Sequence, residues 1–107
     1  MNSVLDWLNS TIRNVENQLS KFEVGSSHHS LIKNRVKALK TSLLLLENKQ
    51  EITMEDLKKA IEPMKSIVRK NTKAQEKHNS DTAFYKRLQR NIDCAQFCVD
   101  QLEDKLK

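Results

Sequence analysis

Apolar residues recur at alternating three- and four-residue intervals along most of the chain. That spacing places them on one face of an α-helix rather than on one side of a strand. The first such segment runs from about Ser3 to Phe22, with Leu5, Leu8, Ile12, Val15, Leu19 and Phe22 forming a heptad seam. Ser3 is a plausible N-cap, and Val24-Gly25-Ser26-Ser27 is the stop, because Gly25 adopts positive φ at no steric cost. A second segment, from about Ser30 to Lys49, carries Ile32, Val36, Leu39, Leu43 and Leu46. Its end, Leu43 to Leu46, is apolar nearly all round.

The third segment opens on Ile52-Thr53-Met54-Glu55-Asp56-Leu57. Thr53 reads as N-cap, Glu55 and Asp56 suit the positive end of the helix dipole, and Ile52 and Leu57 hold the positions of a hydrophobic staple. The seam continues through Met54, Leu57, Ile61, Met64 and Val68, then turns polar at Asn71, Gln75 and His78. Pro63 lies inside this pattern and is expected to kink or split the helix near Glu62. The fourth segment starts near Asp81, with Ser80 or Asp81 as cap, and runs close to Lys107. Its seam is Tyr85, Leu88, Ile92, Ala95, Val99, Leu102 and Leu106.

No internal repeat, low-complexity tract or linker stands out. Short connections between helices favour antiparallel neighbours. The pattern therefore predicts one all-α domain over residues 1–107, an antiparallel up-down four-helix bundle. The runner-up is three long helices with an irregular 69–81 segment.

Composition supports the helical reading. Gly25 and Pro63 are the only glycine and proline in 107 residues, too few for the turns of sandwiches, barrels or doubly wound sheets. No apolar run reaches the length of a membrane span. Asp6 interrupts the first apolar stretch and no secretory signal follows, so the expected location is cytoplasmic. Cys94 and Cys98, four residues apart on a helix, have poor disulfide geometry and read as reduced thiols.

The formal net charge is +5 and is distributed unevenly. In an up-down bundle one pole collects Lys33, Arg35, Lys37, Lys40, Arg69, Lys70, Lys73, Lys77, Lys86, Arg87 and Arg90. The opposite pole collects Glu47, Glu51, Glu55, Asp56, Asp100, Glu103 and Asp104. A basic pole engages phosphates or an acidic partner, or is only a solvated surface. Nucleic-acid binding draws no support from motif: stacking aromatics near the basic stretch are limited to Phe84 and Tyr85, and no helix-turn-helix glycine turn or zinc-finger spacing occurs.

Some apolar residues fall off the seams. Trp7, Leu44, Leu45 and Phe97 form a candidate partner face unless the drift of straight helices brings them inside. The polar end of the third seam also leaves a candidate groove beside Leu19, Phe22, Ile32, Val36, Tyr85 and Leu88, which three helices closing together would remove. His28, His29, His78 and the two cysteines lack metal-ligand spacing, and no nucleophile, phosphate-loop or dinucleotide motif is present. The sequence thus points to a non-enzymatic helical interaction module (an adaptor, inhibitor or assembly subunit) with a protein partner and no cofactor or metal. The alternative is a nucleic-acid-binding bundle or small subunit of a nucleoprotein complex acting through the basic pole. Head-to-tail self-assembly into a homo-oligomer is a third reading.

Overall fold

The computed structural model describes residues 2–48 and 51–107 and contains four helices. They are α1 (Asn2–Leu19), α2 (Ser27–Glu47), α3 (Met54–Gln75) and α4 (Ala83–Leu106). α1 packs on α2, α2 on α3 and α3 on α4, giving the expected four-helix bundle. The three-helix alternative does not form, because α3 continues unbroken through Pro63 to Gln75.

The helix starts follow local chemistry. The hydroxyls of Ser26, Thr53 and Thr82 each accept a hydrogen bond at 3.1 Å, from the amides of His29, Asp56 and Tyr85 respectively. Thr53 is the cap the sequence indicates. Two expected boundaries move. The second helix begins at Ser27 rather than Ser30, and Thr82 caps the fourth in place of Ser80 or Asp81 because its extended backbone aims the hydroxyl into the first turn. Ser3 lies inside α1, which already includes Asn2. The expected end of the second helix at Lys49 lies outside the described residues; Asn48, at φ 54°, forms the left-handed cap of α2. Gly25 takes φ +91° in the α1–α2 loop, as the stop signal requires.

The core is drawn from all four helices: Leu8 and Ile12 of α1, Val36 and Leu39 of α2, Leu57 and Met64 of α3, Val99 and Leu102 of α4. In α3 the buried stripe is Leu57, Ala60, Met64 and Ile67, one position away from the expected seam at Ile61 and Val68, which are only half-buried. The shift is the drift expected of a straight helix. Trp7 is corrected from an off-seam surface position to the core: it is 4% exposed, and its indole N–H donates to Asn91 Oδ1 at 2.9 Å.

Beside the polar end of the third seam, where the sequence offers a candidate groove, polar side chains pair across α3 and α4. Asn91 donates to Asn71 at 3.0 Å, and Gln75, itself buried, donates to Gln89 at 2.8 Å. Of the residues named for that groove, Leu19 and Val36 line part of a pocket of ≈ 360 Å³.

The two helical hairpins, α1–α2 and α3–α4, are copies of one design. Residues 56 positions apart occupy matching places. Loop bonds from Lys21 to Gln18, Phe22 to Leu19 and Ser26 to Glu23 have counterparts from Lys77 to Ala74, His78 to Gln75 and Thr82 to Asn79. The stacked pair Phe22–His28, with ring centroids at 5.4 Å, matches His78–Phe84 at 4.6 Å, with the two residue types exchanged. Ser42 and Cys98 are also counterparts. Each is 1% exposed, and they lie beside each other where α2 and α4 meet, with the Ser42 hydroxyl donating to the Ala38 carbonyl at 2.9 Å. The likeness lies within the hairpins and at this α2–α4 contact, whereas α2 packs on α3 far more extensively than α1 packs on α4. Small residues at Ala38, Ser42, Cys94 and Cys98 permit the close approach. The hairpins cross rather than lie side by side: Ser3 and Trp7, one turn apart on α1, meet the adjacent residues Arg90 and Asn91 of α4. The resulting molecule is broad and flat, 41 × 35 × 21 Å.

Candidate functional site: the cleft between α2 and α3

The hairpins meet at two junctions, α1 against α4 and α3 against α2, and the second pair packs far more extensively than the first. At the first, Trp7 packs onto Asn91. The counterparts of these two residues at the second are Pro63 and Arg35. Pro63 is far smaller than an indole, and a cleft of ≈ 620 Å³ opens there. Its lining runs along α2 from Leu31 to Thr41 and along α3 from Asp56 to Arg69. A smaller pocket of ≈ 400 Å³ lies along the first half of α4, lined by residues from Tyr85 to Cys94 together with Ser3 and Ser80.

The walls of the cleft are mixed. Leu31, Ala38, Ala60 and Pro63 supply apolar surface, and Leu31 is 44% exposed at the rim. The rim charges are mostly neutralised in pairs. Lys37 meets Asp56 at 3.8 Å, Lys59 meets Glu55 at 2.8 Å, and Arg69 meets Glu62 at 2.6 Å. Arg35 is different. Its Nε and Nη2 atoms are shut off from solvent and have no hydrogen-bond partner.

The two groups that satisfy Asn91, namely Trp7 and Asn71, correspond to Pro63 and Val15, and neither of these offers Arg35 an acceptor side chain. Burial lowers the pKa of Arg35 from its ordinary value. A guanidinium nonetheless stays protonated, so the charge remains uncompensated. Lys70 is likewise pushed down, by burial first and by the Arg35 charge second.

The sequence-derived candidates are dispersed by this arrangement. Of the proposed partner face, Trp7 is in the core, and Leu44, Leu45 and Phe97 are half-buried. Of the proposed basic pole, Lys37, Lys40 and Arg69 are held by Asp56, Glu16 and Glu62, so opposite charges meet across the crossing and the separation by pole is incomplete. Arg90 reaches the Ser3 carbonyl at 3.4 Å. Among the described residues, Lys33, Lys70, Lys73, Lys77, Lys86 and Arg87 carry no ion pair.

Among the described residues, no histidine or cysteine lines the cleft. His28 and His78 pack against phenylalanines, and among the described residues no group of three or more His, Cys, Asp or Glu is placed to hold a metal ion. Cys94 and Cys98 are buried and free. Burial raises the pKa of both, Cys98 up to about 12 with the neighbouring Cys94 adding to the rise, so neither is a thiolate nucleophile near neutral pH. No helix among the described residues is long and apolar enough to cross a membrane.

Sequence reasoning placed Arg35 only within a basic group and read Pro63 only as a helix breaker. The clue available was a proline in mid-helix, which narrows that face of α3. Compared with models of protein families, with curated proteins and with solved structures, the chain matches none.

Proposed function

We propose that this chain is a non-enzymatic interaction module of the cytoplasm that binds a protein partner through the cleft between α2 and α3. One observation carries the reading: Arg35 lines this cleft with two buried guanidinium nitrogens unpartnered. An uncompensated cation is costly to bury and is stabilised by an arriving anion. The cleft also extends along about three turns of two helices, a shape suited to a polypeptide segment. Free, buried cysteines fit a reducing compartment.

A photo-reactive phenylalanine analogue in place of Leu31 tests the site. It is expected to give a discrete protein adduct in cell extract, whereas the same analogue at Asn14, exposed on α1, gives none. Filling the cleft by Pro63→Trp is expected to abolish the adduct. Equal adducts at both positions, or an adduct indifferent to Pro63→Trp, would place the interaction elsewhere. Nucleic acid is the competing partner, because among the described residues most of the basic pole, Lys33, Lys70, Lys73, Lys77, Lys86 and Arg87 included, stands free of ion pairs. Sub-micromolar binding of single- or double-stranded nucleic acid that persists from about 50 to about 200 mM salt would favour it.

A further inference from the structure

We infer that the tip of the α3–α4 hairpin is a docking surface for single-stranded nucleic acid, held chiefly through its phosphates. The surface lies beyond the cleft, whose α3 wall ends at Arg69, and it does not depend on what the cleft binds.

The register of the hairpin gathers the charge. Gln75 donates to Gln89 at 2.8 Å and Asn91 donates to Asn71 at 3.0 Å, so the end of α3 lies alongside the first turns of α4. Lys70, Lys73 and Lys77 therefore share one end of the hairpin with Lys86 and Arg87. All five are exposed, and among the described residues none of them forms an ion pair. The stretch from Arg69 to Arg90 holds only two carboxylates, Glu76 and Asp81, and neither is paired with a lysine or arginine among the described residues. Burial first, and then the Arg35 charge, lower the pKa of Lys70, so the field at this end is positive from within as well. Cations gathered without counter-charge repel one another and attract a polyanion, which releases its own counter-ions on binding.

Phe84 selects the kind of polyanion. It is 46% exposed, and His78 steadies its ring edge-on with centroids 4.6 Å apart. An exposed aromatic face among lysines suits an unstacked base, which a single strand offers and a duplex does not. An anionic membrane surface is met by a broad apolar face, and the large apolar side chain exposed at this tip is Phe84 alone among the described residues.

The test is fluorescence anisotropy of the full chain with a labelled oligouridylate of about 20 nucleotides. Micromolar affinity is expected at about 50 mM salt, weakening roughly fifty- to hundredfold by about 200 mM, as about four or five phosphate contacts require. Lys73→Glu with Arg87→Glu should weaken binding at the lower salt by at least about tenfold. Phe84→Ala should weaken it by at least about fivefold. Lys58→Glu with Lys105→Glu, both exposed at the other end of the hairpin, changes the net charge equally and should cost less than about threefold. Circular dichroism checks that each variant keeps its helices. No binding at the lower salt, equal losses from the two charge-reversed pairs, or unchanged affinity of Phe84→Ala overturns the inference. Tighter binding of a duplex of the same length, of polyglutamate, or of vesicles of phosphatidylserine and phosphatidylcholine assigns the surface to that partner and overturns it too. The Leu31 adduct is expected to survive Lys73→Glu with Arg87→Glu, which separates failure of this surface from failure of the cleft.

Discussion

Three side chains define the energetics at single-residue scale. Arg35 is held at a cost, because two of its nitrogens lack both water and a protein acceptor. Arg35→Met is expected to raise stability by about 1 kcal/mol, allowing for the part of the side chain that remains in contact with solvent. In a domain of this size that raises Tm by about 4 °C in a thermal melt followed by circular dichroism. An unchanged or lower Tm would mean that Arg35 is already compensated. Trp7 acts in the opposite sense. Trp7→Phe keeps a ring but leaves Asn91 without its donor and should cost about 1 kcal/mol, whereas Trp7→Ala should cost about 3–5 kcal/mol in urea unfolding. Cys98 controls the alkaline limit. Its folded pKa of about 12 lies above that of an unfolded thiol, so the folded state retains the proton as the unfolded state loses it. The stabilising contribution is complete below about pH 8.5 and falls with each pH unit as pH rises toward 12. Urea midpoints of the native chain should therefore drop between pH 8 and pH 10, and Cys98→Ser should flatten that part of the profile.

At the scale of the elements, the helices begin where a hydroxyl side chain meets an apolar-periodic run. Ser26 and Thr82 hold matching positions in the two hairpins, each accepting from the amide three residues on. Ser26→Ala and Thr82→Ala are each expected to cost about 1 kcal/mol, and by similar amounts, because the loops they anchor share a hydrogen-bond plan. Markedly unequal losses would show that the loops differ in energy despite their geometry. Thr53 was legible as a cap because Glu55, Asp56 and the staple pair Ile52 and Leu57 all agree with it. The fate of Pro63 was not legible. A proline removes one donor and strains one turn, and packing of Leu57, Ala60, Met64 and Ile67 on both sides holds α3 together across it. Trp7 and Phe97 were misplaced for one reason. Heptad positions assume helices lying alongside one another, and crossed hairpins bury a different face.

At the scale of the whole molecule, the organising feature is the relation between the two hairpins. It escapes a reading of the sequence because matching positions keep their character more than their identity. Leu8 pairs with Met64, Ile32 with Leu88 and Ser42 with Cys98, whereas Phe22 and His28 reappear as His78 and Phe84 in exchanged order. Side chains of different size fill equivalent sites in the core, and only the backbone bonds of the loops repeat without change. The same relation explains why charge does not separate cleanly by pole, since crossing brings Asp56 of α3 to Lys37 of α2.

The claim that the α2–α3 cleft is open to an incoming side chain is tested most directly by filling it from within. The double variant Arg35→Asn with Pro63→Trp places an indole and a neutral amide in the cleft lining. Arg35→Asn with Pro63→Ala is the reference, because removing a proline from a helix interior is stabilising by itself. Thermal unfolding of the two is the decisive measurement. If the cleft has room for the ring, the tryptophan variant melts higher than the alanine variant, by the equivalent of about 2 kcal/mol from burying it. If the tryptophan variant melts at the same temperature or lower, the cleft does not accept a side chain, and the proposed binding site loses its basis.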